Sequence, residues 1–137
     1  MSLIAILTPE KSVGIKAQSL TPVIIALIGI ILLIGIVMKN AKDIELHNVR
    51  VNTKTGAAVA AEKTIRLDID NLITAKPIAD VPVIKLNNVQ DVLLRNCWLF
   101  AGTKIFAGIN GADTKNVKLT NNEAGEATVV YGDEVKK

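Results

Sequence analysis

The sequence predicts an all-β chain built as a short single-stranded parallel β-helix, a solenoid of about 4–5 coils. Three observations point to it. Residues 44–49, 67–72, 92–97 and 117–122 share one pattern, apolar alternating with polar and running into an asparagine. Those asparagines, Asn48, Asn71, Asn96 and Asn121, follow one another at steps of 23, 25 and 25 residues, and the inner positions Leu46, Ile69, Leu94 and Leu119 keep the same steps. Half of the 137 residues are hydrophobic yet only 3% are aromatic, which suits a repetitive aliphatic core. A period of two buries one face of a strand. A unit of roughly 20–30 residues made of such strands buries that face only by stacking on the next unit. An antiparallel sandwich would also use short strands, but it has no need of an evenly spaced asparagine. Asparagine suits the bend after each strand, because it tolerates left-handed backbone angles and its amide can bond along the stack.

Taken in order, residues 1–21 read as an N-terminal cap or a partial coil. Residues 22–38 form an uncharged apolar run, Pro22 to Met38, between Lys16 and Lys39. It is at the lower limit of length for a bilayer span, so a single transmembrane helix is one reading. Buried strands are the other: matching Asp43 with Asp91 sets Ile36 over Ile84 and Met38 over Leu86, which leaves too few residues for a span. Residues 39–132 hold the coils. Within them Val59, Ile84, residues 105–109 and residues 128–131 make a second strand series, and Gly56, Gly102, Gly111, Gly125 and Gly132 fall where turns are needed. Pro77 and Pro82 bracket a loop. Residues 133–137 are a tail, and the composition from 121 onward is that of a protective cap. The N-terminal end is apolar and poorly guarded, so self-association is expected there.

The stretches 81–97, 101–103 and 111–122 resemble the last coils of right-handed parallel β-helix proteins, in particular polygalacturonase-like members of glycoside hydrolase family 28, over roughly residues 36–132. The resemblance implies a right-handed β-helix and descent from pectin-acting enzymes. It also implies a secreted, periplasmic or cell-surface location and a polysaccharide partner. The family's catalytic motifs do not carry over. Asn52-Thr53 is followed by Lys54 where the family has aspartate, no Asp-Asp pair exists, and His47 has no flanking glycine. The expectation is therefore a non-catalytic module, a scaffold or weak carbohydrate binder, and not an enzyme. The alternative is a single-pass membrane-anchored structural or assembly subunit with a small β-rich ectodomain. A residual polysaccharide hydrolase is the third reading.

Other classes find little support. The net charge of +3 is spread over interspersed charges, with no basic stripe interleaved with aromatics, so nucleic acid is not expected as a partner. The single cysteine, Cys97, excludes an internal disulfide and reads as a core thiol. No phosphate loop, metal-ligand cluster or cofactor motif is visible. Stacking the coils by their asparagines yields two outward columns, Glu45-Asp68-Leu93-Lys118 and His47-Asp70-Arg95-Thr120, with neighbours about 4.8 Å apart. The candidate surface patch is His47, Asp68, Asp70 and Arg95, either a place for extended sugars or a solvated face of complementary charges. Asp68 and Asp70 would stand about 6.5 Å apart, at the short end for an inverting glycosidase pair, although any two acids flanking one strand residue do the same. Trp98 reads as packing at a bend, with a sugar platform as its competing role.

Overall fold

The structure, a computed structural model, describes residues 5–7, 23–25, 30–32 and 35–136. Its strands are β1 (Ala5–Leu7), β2 (Val23–Ile25), β3 (Ile30–Leu32), β4 (Ile36–Lys39), β5 (Lys42–His47), β6 (Val51–Thr53), β7 (Val59–Glu62), β8 (Ile65–Asp70), β9 (Ile84–Asn87), β10 (Gln90–Arg95), β11 (Ile105–Asn110), β12 (Lys115–Thr120) and β13 (Thr128–Tyr131). They fall into three parallel stacks. A long sheet runs β1-β4-β7-β9-β11-β13, and a second, the ladder sheet, runs β12-β10-β8-β5-β2. The short sheet pairs β3 with β6 and continues as single bridges, Arg50 to Ile73 to Trp98 to Glu123. The chain visits long, ladder and short sheets in turn, so each coil has three sides and about four turns are stacked. Every strand pair among the described residues is parallel, which excludes the sandwich.

The register is the one the asparagine spacing predicts. Ile44 pairs with Leu67, Leu67 with Val92, and Val92 with Val117. Inward columns follow from it: Ile36-Val59-Ile84-Ala107, Met38-Ala61-Leu86-Ile109 and Leu46-Ile69-Leu94 are each at most 3% exposed. Each buried aliphatic meets its counterpart one strand spacing above and below, so the core is continuous along the axis. Val49, Leu72 and Cys97 extend it under the corner, and burial pushes the Cys97 thiol up to about 11. The sequence reading had Ile36 over Ile84 and Met38 over Leu86. They do share columns, with Val59 and Ala61 from the coil between.

Most of the left-handed residues stand in three columns, of which the spacing argument foresaw one. Asn48, Asn71, Asn96 and Asn121 all have φ between 52 and 59°. Asn40, Lys63 and Asn88, followed by Gly111 at φ 97°, turn the chain between the long and ladder sheets, and Asp43, Arg66, Asp91 and Asn116 form the third column within the ladder strands. Lysine and arginine are poor left-handed residues. Their presence hides two of the three columns from a reading of residue types.

The transmembrane reading of 22–38 is corrected. Within the run, β2, β3 and β4 are strands, paired in parallel with β5, β6 and β7. No helix among the described residues is long and apolar enough to cross a membrane. Nine of the 17 residues are Ile or Val, whose branched side chains fit a pleated surface. Residues 22, 26–29 and 33–34 lie outside the described residues. At the N-terminus, β1 pairs with β4, as a partial coil would. Leu3, Ile4 and residues 8–21 lie outside the description, as do the side chains on which self-association through this end was expected.

Candidate functional site

The ladder sheet brings the expected polar patch together. Alternation along β5, β8 and β10 turns Ile44, Leu46, Leu67, Ile69, Val92 and Leu94 inward, and Glu45, His47, Asp68, Asp70 and Arg95 outward. Register stacks His47 on Asp70 and Asp70 on Arg95. His47 Nδ1 lies 3.4 Å from Asp70 Oδ2, and Arg95 Nη2 lies 3.6 Å from the same oxygen. The stronger guanidinium partner is Asp68: Arg95 donates from Nε and Nη2 to both of its oxygens, at 3.1 and 2.9 Å. The other imidazole nitrogen, Nε2, faces Glu45 Oε2 at 3.1 Å.

An imidazole with a carboxylate oxygen at each nitrogen is best satisfied when doubly protonated. The Glu45 hydrogen bond, opposed next by the cost of burial and then supported by the Asp70 hydrogen bond, accordingly raises the His47 pKa above its ordinary value. Asp70 moves the other way, held below the usual carboxylate value by the Asn96 amide and then by Arg95 and His47. An inverting glycosidase pair needs one carboxyl held protonated. The surroundings of Asp70 do the opposite.

The asparagine column is bonded along the axis, but as two pairs. Asn71 donates to Asn48 Oδ1 at 2.8 Å, and Asn121 to Asn96 Oδ1 at 2.6 Å. Between the pairs, Asn96 Nδ2 turns to Asp70 Oδ1 at 2.7 Å. An ionised carboxylate is a better acceptor than a neutral amide oxygen, so the charged column captures the middle rung. A parallel system joins the Asp43 column, where Arg66 Nη2 reaches Asp43 Oδ2 at 2.8 Å and Asn116 donates to Asp91 at 2.6 Å. Among the described residues no group of His, Cys, Asp or Glu could hold a metal ion.

A second feature was not foreseen. Beside the short sheet lies an open cleft of about 560 Å³, lined by Arg50, Asn52, Ile73, Thr74, Trp98, Phe100 and Glu123, among others. Trp98 does not pack at a bend: 62% of it is exposed, and Phe100 is 50% exposed. Their placement is dictated by parity. Cys97 and Leu99 point inward, at 1% and 6% exposure, so residues 98 and 100 must face out. That alternation was readable from the sequence, and it sets two aromatics side by side on one outer face. Asn52 Oδ1, also at this cleft, is buried without a hydrogen-bond partner among the described residues. A second cleft of about 570 Å³ shares Phe100 in its wall, together with Thr103, Lys104, Gly125 and Glu126.

No family model matches the chain, and no curated protein matches it by sequence. Among solved structures it is similar to the crystal structure of a "putative glycosyl hydrolase" from Parabacteroides merdae, with a TM-score of 0.52 and 14% identity. The match covers 73% of this chain and 40% of that one, so more than half of the neighbour has no counterpart in it. At this identity the likeness speaks to fold alone. It corrects the expectation that the chain is not an enzyme: a comparable β-helix occurs in a protein named as a glycosyl hydrolase, and missing polygalacturonase motifs do not by themselves make a non-enzyme. The narrower likeness to glycoside hydrolase family 28 reduces to a shared fold, the parallel β-helix.

Proposed function

We propose that the chain is a glycan-binding β-helix module working outside the cytoplasm, with its site in the cleft beside the short sheet rather than on the charged ladder. The observation that carries this reading is the exposed Trp98 at the edge of a cleft that also offers Arg50, Asn52, Thr74 and Glu123. An indole face held in water by strand parity suits the C–H face of a sugar ring. The flanking charged and amide groups can donate to and accept from sugar hydroxyls. The ladder is the weaker candidate, because its charged groups already bond one another.

The test is affinity electrophoresis in gels containing separate polysaccharides, polygalacturonate among them, with Trp98→Ala as the control. Retardation by at least one glycan, lost in Trp98→Ala, is the expected result. Equal migration of both proteins in every gel would sink the proposal. Assaying the same glycans for released reducing ends reports any hydrolysis directly. Self-association through the apolar N-terminal end is part of the proposal, and light scattering at high concentration, with and without detergent, checks it.

A further inference from the structure

We infer that the two clefts that share Phe100 form one site, and that it takes an uncharged linear oligosaccharide rather than a polyuronate; this rests on the glycan-binding reading above. Both clefts share Leu99, Phe100, Ala101 and Gly125 in their walls. Gly125, in both walls, has φ 57°, and a Cβ built there would meet nothing within 4 Å, so no neighbouring side chain or backbone crowds the wall the clefts share. The first cleft alone follows the bridges from Arg50 through Ile73 and Trp98 to Glu123. Three inter-strand steps make roughly 14 Å, longer than one sugar ring. The second cleft adds a similar volume.

Charge selects the class. The first cleft carries one cation and one anion, Arg50 and Glu123; the second repeats the arrangement with Lys104 and Glu126. A polymer with a negative charge on every unit gains at Arg50 and Lys104 and loses at Glu123 and Glu126, so repeated charge earns no net attraction. Neutral hydroxyls suit both kinds of group, since they donate to carboxylates and accept from guanidinium and ammonium.

Trp98 is the chain's one tryptophan, so its fluorescence reports this site alone. The intact chain is titrated with cellohexaose, xylohexaose and mannohexaose, with the matching disaccharides, and with hexagalacturonate. The expected result is that a neutral hexasaccharide binds at least tenfold tighter than its disaccharide, with an affinity that salt leaves unchanged. Gly125→Asn keeps a residue tolerant of the left-handed conformation but puts a side chain at the wall the clefts share; it should erase the hexasaccharide advantage. Phe100→Ala, which removes the shared wall, should weaken hexasaccharide more than disaccharide, and it serves if Gly125→Asn does not fold. Equal affinities for the two lengths would overturn the single site. Tighter, salt-sensitive binding of hexagalacturonate would overturn the uncharged class while keeping Trp98 as the site. If no sugar alters the emission, the glycan-binding reading itself falls.

Discussion

The ladder sheet and the short sheet present opposite outer faces on one solenoid. On the ladder sheet, Glu45, His47, Asp68, Asp70, Arg95 and Asn96 bond one another across the coils. Along the short sheet and just beyond it, Trp98 and Phe100 stand exposed at a cleft that also holds a buried acceptor, Asn52 Oδ1, without a partner among the described residues. A cluster of charges catches the eye in a sequence because charged residues dominate known active sites. Here the charged face is internally satisfied and serves cohesion between coils. Apolar surface left exposed is the costlier feature, and it is the one on which the proposed glycan site rests.

This contrast can be broken by experiment. Leu94→Ala, beneath the ladder, removes a fully buried side chain with neighbours in the coils above and below. It should cost about 2–5 kcal/mol in urea unfolding, and it sets the scale for the surface variants. Asp70→Ala strips an acceptor from Asn96 and a charge from His47 and Arg95. With its side chain 25% exposed, the loss should be about 1–2 kcal/mol. Trp98→Ala should move stability by no more than about 0.5 kcal/mol while abolishing glycan retardation. Reversal of the last two, with Trp98→Ala unfolding the chain and Asp70→Ala neutral, would exchange the roles of the two faces.

Lys63→Asn should raise the thermal midpoint by an amount equivalent to about 0.5–1 kcal/mol, because Lys63 holds φ 49° in a column where Asn40 and Asn88 do so at less strain. A lowered midpoint would mean that the lysine side chain contributes more than its backbone costs.

The smallest effect is a pH dependence confined to the ladder face. His47 is raised above 6.5 in the folded chain, so its contribution is complete below about pH 6.5 and is lost as pH rises through the folded value. Asp70 is lowered below 3.8, so its contribution is present above that value and is lost as pH falls through the folded one. Stability should therefore decline modestly as pH rises through the folded His47 value, below the range in which the Cys97 thiol titrates. His47→Gln should remove that decline and leave the acid limb in place; an alkaline decline that persists in His47→Gln would assign it to another group.

Much of the architecture was legible from residue order alone. The spacing of Asn48, Asn71, Asn96 and Asn121 sets the coil length, and alternation sets which side chains face in. In a parallel stack with side-chain period two, those two quantities determine register, so the His47-Asp70-Arg95 column and the core columns could be written down before any coordinates. The pairing of Trp98 with Phe100 on one outer face was legible in the same way.

Tertiary structure decided what spacing cannot. It chose strands over a membrane helix for the apolar run, because Val23–Ile25 and Ile30–Leu32 find parallel partners in β5 and β6. It broke the asparagine ladder at Asp70, where a nearby carboxylate outcompetes an amide oxygen. It opened the two clefts that share Phe100, since a hollow depends on how far neighbouring loops stand apart. Periodicity is a local property of the chain, repeated until it is unmistakable; hydrogen-bond competition and empty volume arise only between segments, and no single segment encodes them.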